Sequence, residues 1–278
     1  MDESEVMAML AGKRSREQAD ETDAALAIEP SFDDPWSMDV KLAVTPSSTV
    51  HDHTGPTMVI RQVALPPIYC TVRPVAPGDE AALHAFGLCG LSEESRRLFA
   101  PYTWDGPADS LQAQFTQSIA SSQSHRDLHL VALSANKVCG HAFLWSMVDE
   151  VPELGLAVVD AWHGRGLGRQ LLSLLEKVCV SVGKPAIELT TTADNERAHA
   201  IYLKFGFEDL GFIRNPIGCD VVAAFAGRVV ASDFRIERQM VKVLDEHART
   251  RVLAAMADKR RRAAELFGSG DGGLESAT

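Results

Sequence analysis

The feature that most constrains this chain is the segment His-Gly-Arg-Gly-Leu-Gly at residues 163–168, which has glycine at every second position. Glycine loses more chain entropy on folding than any other residue and adds nothing to a hydrophobic core. A strand-like run, Glu153 to Val159, precedes the segment, and apolar residues at helical spacing follow it from Leu167 to Val182. The sequence therefore predicts a tight connection from a strand to a helix.

A phosphate site is the best explanation for so many glycines at this place. A helix begins with unpaired N–H groups and the positive end of its dipole, and glycine lets a phosphate approach that backbone closely. A plain tight turn is the alternative, although one glycine would be enough for it. The loop lacks the Lys-Ser or Lys-Thr of a P-loop, and its Gly-x-Gly-x-Gly spacing differs from the Gly-x-Gly-x-x-Gly of dinucleotide-binding folds.

Several further elements follow from the pattern of apolar residues. We predict a hairpin from strands at 128–133 and 138–148, then a strand at 186–191, a helix at 195–205 and strands at 208–213 and 234–240. A strand, loop, helix and second strand in this order predict a parallel strand pair. The sequence therefore indicates an α/β fold.

Two motifs resemble those of the GNAT family of N-acetyltransferases. Residues 163–168 resemble its acetyl-CoA pyrophosphate loop, Gln/Arg-x-x-Gly-x-Gly/Ala, with His163 where Gln or Arg is usual. Residues 195–207, Asn-Glu-Arg-Ala-His-Ala-Ile-Tyr-Leu-Lys-Phe-Gly-Phe, resemble its Asn-x-x-Ala-x-x-x-Tyr-x-x-x-Gly-Phe segment. The likeness covers roughly residues 69–241. It implies a single domain with a mixed central sheet and helices on both faces, and transfer of an acetyl group from acetyl-CoA to a primary amine.

The acceptor amine is less constrained than the donor. Residues 91–99, which follow a strand ending in Arg73-Pro74, resemble the opening of bacterial GNAT domains that acetylate protein lysines. This likeness implies a protein lysine as acceptor. A small-molecule amine is the alternative acceptor, and a non-catalytic domain that senses acyl-CoA is the alternative from another functional class.

Acetyl transfer to an amine needs a base for the ammonium proton and a means of neutralising the leaving thiolate. Glu153 begins the strand in which the family often keeps a base, and it is the candidate base; Asp149, Glu150 and Glu188 are its rivals. Tyr202 is the candidate acid, because it follows Ala198 at the spacing of the family phenol. A solvated edge carboxylate and a core tyrosine are the respective structural alternatives.

The resemblance also implies the residues that bind acetyl-CoA. Backbone groups of Ala157 and Val158 correspond to the strand segment that pairs with pantetheine, and Asn195 caps its helix, contacts pantetheine, or does both. Trp162 is expected to lie beneath the loop. The predicted pyrophosphate contacts are His163, Gly164, Arg165, Gly166, Leu167 and Gly168.

Charge and composition divide the chain into three parts. Residues 1–60 hold twelve acidic and four basic residues, which is −8 of the net −11, and no apolar period persists there. We therefore predict an acidic disordered tail at 1–67, a GNAT domain at 68–242, and a C-terminal helix with a flexible tail at 243–278. The run Lys259–Arg262 is expected to be a solvated face. The enlarged connection at 214–232 is expected to wall the acceptor site or to form the contact of a homodimer.

Composition also excludes several classes of function. The net charge of −11 argues against nucleic-acid binding, and no apolar run is long enough to span a membrane. The five scattered cysteines include no Cys-x-x-Cys pair, so no metal site is expected. Unpaired cysteines and an acidic N-terminus without a signal sequence predict a cytoplasmic location.

Overall fold

Ten strands and six α-helices make up the part of the chain that the computed structural model describes, residues 34–44, 47–52, 59–64, 68–99, 101–217 and 233–268. The strands are β1 (Val40–Val44), β2 (Ser47–Asp52), β3 (Val59–Ala64), β4 (Ile68–Pro74), β5 (Leu128–Ser134), β6 (Lys137–Trp145), β7 (Glu153–Val158), β8 (Ala186–Thr192), β9 (Glu208–Ile217) and β10 (Asp233–Val243). The α-helices are α1 (Glu80–Ala85), α2 (Glu93–Leu98), α3 (Ala108–Gln123), α4 (Leu167–Ser181), α5 (Glu196–Lys204) and α6 (Arg249–Phe267).

Eight of these strands form one mixed sheet in the order β1-β4-β5-β6-β7-β8-β10-β9, and β2 pairs with β3 in a separate hairpin. The neighbours β7 and β8 are parallel, and the other described strand pairs are antiparallel. The predicted parallel pair on either side of the glycine loop and the predicted β5–β6 hairpin are both present. The predicted α/β fold with a mixed sheet is confirmed.

Helices cover both faces of the sheet, as predicted. Successive side chains of a strand point to opposite faces. On β6, a Cβ at Gly140 would lie 2.9 Å from the side chain of Leu171 on α4. The next residue, His141, faces Tyr102, which packs against Phe115 on α3. Helix α4 therefore lies on one face and α3 on the other.

Helix α4 has apolar residues at helical spacing, as its sequence predicted. Leucine, valine and cysteine recur along one side of its fifteen residues, and the helix buries that side against the sheet. The buried residues of α4 are Leu167, Leu171, Leu172, Leu174, Leu175, Val178 and Cys179. This packing fixes the start of α4, and hence the glycine loop, against the end of β7.

The sheet begins before residue 68, the predicted start of the domain. Strand β1 pairs antiparallel with β4, and Leu42 and Val44 are buried in the core. The Gln170 side chain donates a hydrogen bond of 2.6 Å to the carbonyl of Ala43. Trp36 Nε1 donates to the carbonyl of Asp127 at 2.9 Å. A five-residue strand at a sheet edge shows too little alternation to be seen in the sequence. Residues 1–33 of the predicted tail lie outside the described residues.

The C-terminal helix α6 packs on the other end of the sheet, against β9 and β10. A second, smaller apolar cluster forms there from Ala186, Val241, Ala248, Val252 and Met256. Most of the predicted 214–232 connection, residues 218–232, lies outside the described residues. Among the helices described here, none has both the length and the apolar character needed to cross a bilayer.

Candidate active site

The glycine loop forms the N-terminal end of α4. Gly164 and Gly166 have φ angles of +73° and +85°, which side chains rarely adopt, so the backbone conformation requires glycine at both positions. A Cβ at either position would find no atom within 4 Å, and the space in front of the loop is therefore open. Gly168 has an ordinary backbone conformation, and a Cβ there would make van der Waals contact with Val158 at 3.7 Å.

The N–H groups of this loop have no acceptor within the described part of the chain. The first backbone bond of α4 runs from the Gln170 N–H to the Gly166 carbonyl at 3.1 Å. The N–H groups of residues 164–169 therefore remain without a protein partner at the positive end of a fifteen-residue helix. An open loop with unpaired donors has the properties of an anion site.

His163 connects this loop to the end of β7. Its Nε2 lies 2.8 Å from the Val158 carbonyl oxygen, which only accepts, so Nε2 carries the proton. Its Nδ1 then accepts from the guanidinium of Arg197, at 3.5 Å. His163, predicted as a phosphate contact, is thus hydrogen-bonded on both sides within the protein, and the Val158 carbonyl already has one donor.

Arg165 and Trp162 lie together on the outer side of the loop. The Arg165 guanidinium is 5.4 Å from the centre of the Trp162 ring, and Trp162 packs partly buried against the core. Arg165 is the one predicted site residue that does not line the groove described next.

A groove opens where β7 and β8 separate. These two strands pair at one register position, Glu153 opposite Glu188, whereas β6 and β7 pair at six positions from Trp145–Glu153 to Gly140–Val158. One edge of β7 is therefore unpaired along most of its length. The groove has a volume of about 2850 Å³. The predicted site residues that line it are Glu153, Ala157, Val158, His163, Gly164, Gly166, Leu167, Gly168, Asn195 and Tyr202.

The register shows which groups of β7 point into the groove. In an antiparallel pair only alternate residues bond to the same neighbour. The Val159 N–H donates to Cys139 at the end of β6, at 3.0 Å, so the backbone groups of Val158 point away from β6. The Val158 N–H is therefore directed towards the opening.

Helix α5 supplies two of the predicted residues. The Asn195 side chain accepts a hydrogen bond of 3.1 Å from the Ala198 N–H and caps the helix. Tyr202, two turns further on, lies edge-on to Phe207 with 5.6 Å between the ring centres. Burial raises the pKa of Tyr202 to about 12, and its hydroxyl makes no hydrogen bond to a described residue. The phenol is protonated at neutral pH and faces the groove.

Glu153 lies at the other end of the unpaired edge. It stands opposite Trp145 across β6 and β7, and both side chains line the groove. Its Oε1 accepts from the Thr190 hydroxyl at 3.4 Å, and its Oε2 lies 3.3 Å from Lys259 Nζ. The carboxylate is half-buried, which leaves it in reach of water.

The three rivals of Glu153 differ in their access to the groove. Glu188 lines it but is buried, and burial raises the pKa of this carboxyl. Glu150 pairs with Arg251 on α6 and does not line the groove. Asp149 is exposed at the rim.

Sequence reasoning missed two ionisable residues at this end of the groove, Lys259 and Glu237. Lys259 belongs to the run that we expected to be a solvated face, yet its ammonium contacts Glu153 and Glu188. Helical spacing could have predicted this position, because Lys259 lies three residues after Met256 and on the same side of α6 as the buried Val252 and Met256. Glu237 on β10 accepts from the Asn215 amide at 2.7 Å, and burial raises its pKa.

No group of three or more histidine, cysteine, aspartate or glutamate side chains is arranged to hold a metal ion within the described ranges. The groove instead combines an anion site, a phenol and a carboxylate. The anion site can bind a substrate that contains phosphate, and the phenol and the carboxylate can donate and accept protons.

Comparison with known proteins agrees with this chemistry. Residues 93–207 match the family model described as the acetyltransferase (GNAT) family. The matched range includes β7 and both motifs, the glycine loop and the segment 195–207 that contains α5. None of the curated protein sequences matches the chain.

Solved structures with a similar fold are distant in sequence. The ribosomal L7/L12 alpha-N-protein acetyltransferase in complex with coenzyme A is 13% identical, with a TM-score of 0.50, over 63% of this chain and 94% of that one. A GNAT-family acetyltransferase from Streptococcus pneumoniae is 21% identical, with a TM-score of 0.46, over 62% and 97%. The ribosomal-protein-alanine N-acetyltransferase from Brucella melitensis is 19% identical, with a TM-score of 0.46, over 62% and 99%.

Proposed function

We propose that residues 93–207 form an acetyltransferase domain of the GNAT type, which transfers an acetyl group from acetyl-CoA to an amine. In this proposal Glu153 and Tyr202 carry the proton transfers and a protein lysine is the acceptor. One observation supports this assignment above all others. Three groups line the groove that opens between β7 and β8: the N–H donors of the glycine loop, the protonated Tyr202 phenol and the half-buried Glu153 carboxylate.

The glycine loop fits the pyrophosphate of coenzyme A. The N–H groups of residues 164–169 have no acceptor among the residues that the structure describes, and the open space at Gly164 and Gly166 leaves room for the phosphate oxygens. We assign the binding to these backbone donors and to the helix dipole. The side chain of His163 has the separate task of fixing the loop to Val158.

Glu153 is assigned the first proton transfer. A lysine ammonium has a pKa of about 10.4 in water and must lose a proton before its nitrogen can attack a thioester. Glu153 is half-buried at the start of the groove, so it can accept that proton directly or through one water molecule. Glu188 is the less suitable base because it is buried and contacts both Lys259 and Gln239.

Negative charge develops on the thioester oxygen during the attack, and a backbone donor can stabilise it. The Val158 N–H is directed towards the opening and is assigned this task. The free amine forms the new C–N bond as the C–S bond breaks, which leaves a thiolate on coenzyme A and one further proton on the nitrogen. That proton passes to water in the groove, which gives the neutral amide, and water later returns a proton to the Tyr202 phenolate.

Tyr202 is assigned the protonation of that thiolate. Its hydroxyl lacks a hydrogen-bond partner among the described residues, and its pKa of about 12 keeps the proton on the phenol at neutral pH. The phenol can therefore donate when the thiolate leaves. Asn195 caps the same helix and so fixes where α5 begins. We also assign it a contact with pantetheine.

A cytoplasmic location is part of the proposal. The four cysteines that the structure describes are free thiols, including Cys70 and Cys139, whose sulfur atoms lie 3.7 Å apart. Free thiols are typical of proteins in a reducing compartment.

Release of coenzyme A from acetyl-CoA by the purified full chain tests the proposed function. The acceptors are a panel of lysine peptides, the same peptides with lysine replaced by arginine, and a set of small amines. Turnover with lysine peptides but not with their arginine counterparts supports a protein lysine acceptor. Turnover with small amines alone assigns the acceptor to that class. Acetyl-CoA binding without turnover on any acceptor favours a sensing domain.

A further inference from the structure

We propose that Lys259 is a positioning residue for acetyl transfer, whose ammonium bridges the carboxylates of Glu153 and Glu188 and fixes them where β7 and β8 separate. This inference rests on the proposed role of Glu153. It adds a residue from α6, which lies outside the range that matches the family model.

Lys259 bridges two strands at the point where they separate. Its Nζ lies 3.3 Å from Glu153 Oε2 and 2.9 Å from Glu188 Oε1. Glu153 and Glu188 are the one register pair between β7 and β8 among the described residues. The ammonium thus contacts the last paired position between β7 and β8, next to the point where the groove opens.

The surroundings of this ammonium are rich in carboxylates. Besides Lys259, six charged side chains on β7, β8, β10 and α6 line the groove. They are Glu153 on β7, Glu188 on β8, Asp233, Arg235 and Glu237 on β10, and Arg262 on α6. Arg235 is 4.0 Å from Glu237, and the Lys259 ammonium contacts both Glu153 and Glu188.

The contacts affect the pKa values of Lys259 and Glu188. Burial alone would lower the pKa of Lys259, but the two carboxylates outweigh it and raise that pKa, so the ammonium stays charged. Burial raises the pKa of Glu188 and the charge on Lys259 acts against this rise. Without the ammonium, the two neighbouring carboxylates repel each other in a partly buried site, and a proton bound at the pair relieves this repulsion.

Lys259 is held in place by the packing of its helix. Val252 and Met256 anchor α6 on β10, and Gln239 of β10 donates to Glu188 from the same side. Lys259 is therefore a fixed group rather than a mobile surface lysine. The packing of α6 fixes the position of Lys259, as is expected of a residue that positions Glu153 and Glu188.

The pH dependence of kcat/KM with one amine acceptor tests the inference. In Lys259→Met the acid limb of the profile should move to higher pH by about one unit or more, because a proton is then shared by the two carboxylates. Lys259→Arg keeps the charge and should keep the limb near its wild-type position. Arg261→Met, which removes a 60% exposed cation two residues further along α6, is the matched control and should not move the limb.

A second variant separates charge from packing. In the double variant Glu188→Gln, Lys259→Met the Glu153 carboxylate remains without its Glu188 neighbour, so the acid limb should return towards the wild-type position. It also provides the measurement if Lys259→Met alone does not fold, which thermal unfolding would reveal. A merely structural role for Lys259 would lower activity at every pH and leave the limb in place in both variants.

The outcomes distinguish this inference from the proposed function. If Glu153→Gln keeps a wild-type profile, Glu153 is not the base and the proposed function fails together with the inference. If Glu153→Gln loses activity while Lys259→Met leaves the acid limb unmoved, the proposed function stands and the inference is overturned.

Discussion

Glu153 lies opposite Glu188 at the one register position where the parallel strands β7 and β8 pair in the described part of the chain. The same pair marks the end of the sheet ladder and the start of the groove. The carboxylate proposed as base therefore sits where backbone pairing stops and a ligand can enter. The first prediction follows from this position.

Replacing Glu153 by glutamine keeps the shape of the side chain and removes its basicity. We expect the rate at neutral pH to fall by about 10²–10⁴-fold, the usual effect of losing a general base. Part of the loss should return at high pH, where more of the acceptor amine is already neutral. The measurement is kcat/KM against pH with one amine; a wild-type profile in this variant would redirect attention to Glu188.

Replacing Tyr202 by phenylalanine removes the proposed acid and leaves the ring against Phe207. Turnover should fall, while the affinity for acetyl-CoA should change little. High pH should not restore the rate, in contrast to Glu153→Gln, because no proton donor returns. Calorimetry with coenzyme A and a pH–rate profile check both parts. Unchanged turnover would assign the thiolate proton to solvent.

Gly166→Asp should abolish acetyl-CoA binding in a folded protein. It puts a negative charge where the phosphate approaches the backbone, and its positive φ costs about 1–2 kcal/mol of stability in any side-chain variant. The matched control is Gly183→Asp, since Gly183 follows the other end of α4 with φ +71° and equally open space. Calorimetry should show loss of binding in the first variant alone; equal binding in both would refute the phosphate site.

Leu42→Ala should destabilise the domain by about 2–5 kcal/mol, the range for a truncated core leucine. Leu42 is 1% exposed on β1, in the region that sequence assigned to a disordered tail. Lys41→Ala, the exposed neighbour, is the control and should change stability by less than about 0.5 kcal/mol. Urea unfolding of both variants measures the difference. Equal midpoints would show that β1 adds little to the core.

The stability of the domain should fall as pH drops below about 6.5, the pKa of histidine in an unfolded chain. Burial lowers the pKa of His129 to about 3 and that of His141 well below its ordinary value, so both stay neutral when folded. The unfolded chain takes up these protons first. The slope should approach about 1.4 kcal/mol per pH unit for each histidine.

Urea unfolding between pH 5 and 7.5 measures this slope above the range in which exposed carboxylates titrate. The double variant His129→Gln, His141→Gln should flatten it. His247→Gln, at a side chain that is 99% exposed, should not. An unchanged slope in the double variant would contradict the assignment.

Local patterns predicted the part of the site that is built from neighbouring residues. The glycines of the loop, the apolar period of α4 and the spacing of Asn195 to Tyr202 each lie within one element, and the structure gathers them along one groove. Lys259 could not be paired with Glu153 in advance, because 106 residues separate them and only the packing of α6 brings them together. Strand β1 was missed for a similar reason, since its partner β4 and its contact Gln170 define it more than its own five residues do.

Because β7 and β8 pair at a single position, most of β7 has an unpaired edge in the middle of the sheet. Unpaired strand edges usually invite other chains and aggregation. Here the unpaired edge of β7 faces the groove between β7 and β8 rather than the outer edge of the sheet. A ligand amide that bonds to this edge would complete the sheet as a short extra strand, and exchange of the Val158 amide hydrogen with solvent should slow when it does.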